Sequence, residues 1–267
     1  MRLVVKVGTS TVDAGPAVLE DLAGQLAALA REGHSVALFS SGAVNAGRQA
    51  FGPGLEAPAA AALGQPLVFG RWRDACGRAG ATAAQVLVDD RDLEVGGGAA
   101  VVVDALWRIG FLPVLNGNDA IDSGRSPVSD NDAMAALLAL HLRADRLVLL
   151  TDQDGICTGD PRRDPSARPI RHISADALAR LVPALADAAA GPQGRGGMAS
   201  KAHAALRAAR GGVSATVAHG REARVLIRAA RGESVGTSID AVPDCLQAAT
   251  AASPRPSVRE AVAYGVD

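Results

Sequence analysis

The sequence predicts an α/β protein whose parallel strands are joined by crossover helices. Apolar runs of strand length alternate with segments of helical period along the chain. Polar turns carrying glycine follow the strand-like runs again and again. Residues 3–39 alone contain a complete strand, helix and strand.

In that first unit, residues 3–7 are a short apolar run. Val18, Leu19, Leu22, Leu26 and Leu29 then recur every three or four positions until a stop near Gly33, and residues 35–39 form a second strand. A connection of this kind is right-handed in nearly all parallel sheets. Further strands are expected over 82–88, 112–115, 147–150 and 213–217. A helix is expected over 133–142, with Met134, Leu137, Leu138 and Leu142 on its buried face. Residues 51–64, rich in Ala, Pro and Gly, and residues 95–99, with a triple glycine, read as mobile surface segments. Residues 241–267, with three prolines and little periodicity, read as a tail behind a single domain over 1–240.

A chain of 267 residues with 48% hydrophobic content can bury a sizeable core. The net charge of −1 supplies no basic field for nucleic acid or an anionic membrane, so small-molecule partners are expected. No apolar run reaches bilayer-spanning length and no export signal opens the chain, which points to the cytoplasm. Cys76, Cys157 and Cys245 are scattered without metal-ligand spacing and read as buried or idle thiols.

The basic residues carry the sharpest signal. There are two lysines against 25 arginines, and both lysines sit beside glycine turns: Lys6 before Gly8-Thr9-Ser10, and Lys201 at the end of Gly194-Arg195-Gly196-Gly197-Met198-Ala199-Ser200-Lys201. Arginine can do lysine's surface work, but a planar guanidinium cannot replace a compact ammonium acting as a point charge in a tight site.

Other motifs fall after strands. Ser40-Ser41-Gly42-Ala43 follows the second, and Asn116-Gly117-Asn118-Asp119 follows the strand from 112. Several such loops at one sheet edge imply a concave site for a charged, oxygen-rich ligand, with backbone N–H groups turned toward it. Asp130-Asn131-Asp132 precedes a helix, and capping consumes one such residue, which leaves others for a ligand or a lysine. Thr151-Asp152-Gln153-Asp154-Gly155 follows an apolar run, although a turn alone accounts for Asp-Gly. The 194–201 segment has the chemistry of a phosphate cradle without P-loop spacing, and no Gly-x-Gly-x-x-Gly follows the first strand. The five histidines are dispersed, no metal-ligand pair is visible, and no nucleophile elbow is present.

Taken in order, these motifs, with Ser41-Gly42-Ala43-Val44-Asn45-Ala46-Gly47-Arg48 and Asp160-Pro161-Arg162 added, resemble those of the glutamate 5-kinases, a branch of the amino acid kinase family. The resemblance implies a three-layer αβα sandwich, ATP with Mg2+, and phosphoryl transfer to the side-chain carboxylate of L-glutamate. It implies that Lys6 and Lys201 contact the phosphates, with Asp132 holding both lysines. It places Ser41, Asp119 and Asn131 on the amino acid, with Gly8 and Gly42 supplying N–H donors. ATP would be held by Lys6, Thr151, Asp152, Arg195, Gly196, Gly197, Met198, Ala199, Ser200 and Lys201. Members of the family self-associate, so a homo-oligomer is expected. The PUA domain often appended in bacterial members is not expected from the residues after 240. Gly117 stands where the family usually carries glutamate, and Arg195 where it usually carries threonine. Those departures keep two alternatives open, a kinase of a glutamate-like acid and a non-catalytic sensor on the same fold.

Overall fold

The computed structural model describes residues 1–93, 97–121, 130–159, 164, 166–188 and 197–243. Their strands are β1 (Arg2–Val7), β2 (Ser35–Phe39), β3 (Ala83–Val88), β4 (Leu112–Gly117), β5 (Arg146–Thr151), β6 (Ser214–His219) and β7 (Thr237–Ile239). Their helices are α1 (Thr9–Val12), α2 (Pro16–Arg31), α3 (Ala43–Phe51), α4 (Ala57–Arg78), α5 (Ala99–Arg108), α6 (Asn131–His141), α7 (Ala175–Ala188), α8 (Met198–Arg210) and α9 (Val225–Ala230).

The strands form one sheet in the order β3-β4-β2-β1-β5-β6-β7. All neighbours are parallel except β6 and β7. β1 is the hinge of the order, with Lys6 opposite Phe39 of β2 on one side and Leu149 of β5 on the other. A ligand crevice belongs at such a reversal of strand order, beyond the carboxyl ends.

Helices cover both faces, as near-continuous apolar strands require. Leu3, Val5 and Val7 of β1 join a core with Leu19, Leu22 and Leu26 of α2, Val68 and Trp72 of α4, and Leu226 of α9. Val4 joins the opposite core with Ala135 and Leu138 of α6, Leu178 of α7 and Ala205 of α8. The expected strands and the αβα sandwich are therefore present.

Two expectations change. Residues 51–64 are not a mobile surface segment: α3 runs to Phe51, and α4 starts at Ala57 with a proline in its first turn. The small residues serve helix contact instead. A Cβ on Gly47 would run into the Ala60 carbonyl, and one on Gly64 into the Ala43 carbonyl, so the two backbones approach closely because both glycines are bare. The antiparallel β7, only three residues long, is also an element the sequence pattern did not reveal. Val95, Gly96, Cys245 and the tail from residue 244 lie outside the described residues.

Candidate active site

Side chains alternate across a strand, so Lys6 shares the face of Val4 and projects toward α6 and α8 at the carboxyl end of β1. There it meets Asp132, in the first turn of α6. Asp132 Oδ1 lies 2.7 Å from Lys6 Nζ and Oδ2 lies 3.1 Å from Lys201 Nζ, in the first turn of α8. The Lys201 contact is a hydrogen bond, whereas the Lys6 approach misses hydrogen-bond angles and is held by charge. All three are buried, Asp132 at 0% exposure, Lys6 at 4% and Lys201 at 6%.

Burial pushes the Asp132 carboxyl up, but the two ammonium charges beside it outweigh that and hold the group below its ordinary range. Burial lowers Lys6, Asp132 restores part of the loss, and the nearby Lys201 lowers it further. One carboxylate thus bridges two buried cations, with the Asp130 carboxyl close enough to act on Lys6, so the site is a compact charged group. Such a group is costly to fold around and is suited to an anion with several negative oxygens.

Asp130 caps α6, its Oδ1 accepting from the Asp132 N–H at 3.0 Å. Its Oδ2 accepts from the Ser200 hydroxyl, so one carboxylate ties the start of α8 to the start of α6. Burial, then the charge of Asp132, raises its pKa. The triple Asp130-Asn131-Asp132 therefore divides as expected: one residue caps and the others are spared.

Asn131 points toward β2 and β4. Its Nδ2 donates to the Ser40 carbonyl at 3.1 Å, to Ser41 Oγ at 3.2 Å and to Asn116 Oδ1 at 2.8 Å. Asn116 Nδ2 in turn donates to Gln65 Oε1 at 2.7 Å, and Trp72 Nε1 donates to Ser40 Oγ at 2.8 Å. Beside this group a cavity of about 180 Å3 opens, bordered by Asp119 and Asn118 with Gln65, Ala61, Pro66 and Leu87.

Gly8 precedes α1, and Gly42, at φ +98, starts α3 in a left-handed conformation that favours glycine. An added Cβ on Gly42 would lie 3.5 Å from Thr9 Cγ2, so the first two loops abut. Thr151 ends β5, its hydroxyl donating to Asp152 Oδ1 at 3.3 Å, and its carbonyl accepts from Gly220 after β6 at 2.8 Å. Gly197 caps α8, whose first turn holds Met198, Ala199, Ser200 and Lys201, and the free N–H groups of such a turn favour an anion.

The structure thus brings together Lys6, Asp132 and Lys201, and separately Ser41, Asn131 and their amide partners. Arg195, Gly196 and Asp160-Pro161-Arg162 lie outside the described residues. Sequence reasoning did not single out Asn116 and Gln65, whose amides hold Asn131 from behind. Asn116 was visible as part of a polar loop, but Gln65 sits in an alanine-rich helix with no local signal. Among the described residues no group of three His, Cys, Asp or Glu could hold a metal, and no helix is long and apolar enough to cross a membrane.

The model of the Amino acid kinase family matches residues 1–219. A glutamate 5-kinase of Azoarcus sp. (strain BH72) is 40% identical over 262 residues, covering 92% of this chain and 70% of that protein. One from Burkholderia thailandensis is 39% identical over 252 residues, covering 89% of this chain and 67% of its own length. Among solved structures, a carbamate kinase from Giardia lamblia bound to AMP-PNP superposes with a TM-score of 0.64 at 20% identity, covering 90% of this chain and 98% of the other. At that identity the likeness concerns the fold alone.

Proposed function

The chain belongs to the amino acid kinase family, in its glutamate 5-kinase branch, and on that premise we propose that it phosphorylates the side-chain carboxylate of L-glutamate with ATP. A carboxylate oxygen of the acceptor attacks the γ-phosphorus, the bond to the β,γ-bridging oxygen breaks, and ADP leaves with its electron pair. The product is L-glutamyl 5-phosphate, and the step opens proline biosynthesis.

The observation that carries this reading is the buried Lys6–Asp132–Lys201 set at the carboxyl edge of a parallel sheet. Phosphoryl transfer spreads negative charge over three equatorial oxygens and asks for positioning and fixed positive charge. Lys6 and Lys201 supply that charge, and Asp132 keeps the two ammonium groups together before the nucleotide arrives. The acceptor carboxylate is ionised at neutral pH, so no general base is required. Losing one such charge costs about 3 kcal/mol in barrier, or roughly a hundredfold in rate.

Ser41, Asp119 and Asn131 bind the amino acid, with Gly8 and Gly42 donating N–H groups to charge at the reacting centre. Thr151, Asp152 and residues 195–201, from Arg195 and Gly196 to Lys201, hold ATP. Magnesium fits as the counter-ion of the nucleotide. Both Asp132 oxygens are taken by lysines and those of Asp130 by the Asp132 N–H and Ser200, so phosphate oxygens and water would supply most of its ligands. Residues 1–240 form the kinase domain, and the protein works in the cytoplasm as a homo-oligomer.

Coupled ADP release across L-glutamate, its analogues and other small acids tests the reading. Turnover should be fastest with L-glutamate. Nucleotide binding without turnover of any acceptor would favour a sensor.

A further inference from the structure

The loops on the acceptor side are joined by a chain of side-chain amides whose direction is fixed at both ends. The Gly117 N–H can only donate, and it donates to Asn116 Oδ1 at 3.0 Å. That turns Asn116 Nδ2 toward Gln65, whose Oε1 accepts it at 2.7 Å. The Ser40 carbonyl can only accept, and it takes Asn131 Nδ2, which Asn116 Oδ1 also takes. With its nitrogen committed inward, Asn131 has Oδ1 left to present outward.

That oxygen lies over Gly117, 2.8 Å from where a Cβ would stand, and Asp119 Oδ1 lies 3.6 Å from the same point. Two oxygens, one of them from a carboxylate, thus lie against the bare face of Gly117, where a side chain would collide with Asn131 Oδ1. An ammonium group suits such a pair of oxygens, and an amide nitrogen in place of Asn131 Oδ1 would repel that group.

We propose that Gln65 is a positioning residue for acceptor recognition. By accepting from Asn116 it reinforces the sense set by the Gly117 N–H and the Ser40 carbonyl, in which Asn131 presents Oδ1 beside Asp119 to the ammonium group of an amino-acid acceptor. Gln65 stands on α4, half-buried, and acts through two intervening side chains. The inference rests on the reading of the protein as a kinase of an amino acid.

The test exploits polarity at nearly constant size. Gln65→Glu can still accept from Asn116, whereas Gln65→Lys can only donate and sets Asn116 Oδ1 in conflict with its bonds to Gly117 and Asn131. Gln65→Lys combined with Asn116→Asp restores the sense, because an aspartate accepts from the lysine, from Gly117 and from Asn131. Steady-state kinetics should show Gln65→Lys raising the acceptor KM about tenfold with the KM for ATP little changed. Gln65→Glu and the double variant should stay within about threefold of wild type. Equal losses in Gln65→Glu and Gln65→Lys, or no recovery in the double variant, would overturn the proposal.

Melting temperatures of the same four proteins separate the two levels of inference, since they need no substrate. A wild-type protein that turned over no amino acid would sink the kinase reading and the ammonium assignment together. The positioning role itself stands or falls on whether the double variant regains the stability lost in Gln65→Lys.

Discussion

Lys6 and Lys201, from opposite ends of the chain, grip the two oxygens of one buried carboxylate, Lys6 Nζ at 2.7 Å from Asp132 Oδ1 and Lys201 Nζ at 3.1 Å from Oδ2. Both cations are nearly fully buried beside it. The scarcity of lysine in the sequence acquires a physical cause here: the site needs compact ammonium groups, and arginine serves elsewhere.

Lys6→Arg and Lys201→Arg should each lower kcat about a hundredfold or more while the far-UV circular dichroism stays that of wild type. A variant that kept more than about a third of the wild-type rate would show that the point-charge requirement is misplaced.

Asp132→Asn removes the charge that compensates two buried ammonium groups and should cost about 3–5 kcal/mol in urea unfolding. The pH dependence has a defined sign. The Asp132 pKa is lower folded than unfolded, so its stabilisation is complete above the unfolded value of 3.8 and drains away as pH falls through the folded value. Wild type should therefore lose stability more steeply than Asp132→Asn below about pH 4, and parallel curves would refute the assignment.

Burial lowers the Lys6 pKa, with Asp132 restoring only part and Lys201 adding to the fall, so this ammonium deprotonates at lower pH than an ordinary lysine at 10.5. The alkaline limb of kcat/KM should lie below the ordinary lysine range. With the folded pKa below the unfolded one, the unfolded chain binds more protons, so the Lys6 contribution to stability rises with pH across that window. A rate that stays flat up to about pH 10.4 would contradict this.

Gly64→Ala should destabilise the fold by about 1–3 kcal/mol or more, because the new Cβ meets the Ala43 carbonyl of a neighbouring helix rather than a yielding side chain. Gly54→Ala, which meets nothing within 4 Å, is the matched control in the adjoining turn. Equal melting temperatures for the two variants would argue against close contact of α3 and α4.

Legibility in the sequence followed how local each signal was. The central strands were legible because residues buried on both faces leave unbroken apolar runs, as in Leu147, Val148, Leu149 and Leu150. Asp132 was legible because three capping-type residues stood where one suffices. The α3–α4 contact was not, since alanine, proline and glycine at 51–64 have the composition of a loop, and only the partner helix shows why Gly47 and Gly64 must be small. Gln65 was illegible for a similar reason: its partner Asn116 lies 51 positions away.

The central claim is that paired lysines on one carboxylate drive phosphoryl transfer onto the glutamate side chain. Hydroxylamine trapping of the acyl phosphate formed from ATP and L-glutamate measures it most directly. Wild type should yield glutamyl hydroxamate in step with ADP, and Lys6→Arg and Lys201→Arg about a hundredfold less. ADP release without hydroxamate, or hydroxamate formed equally by the lysine variants, would contradict it.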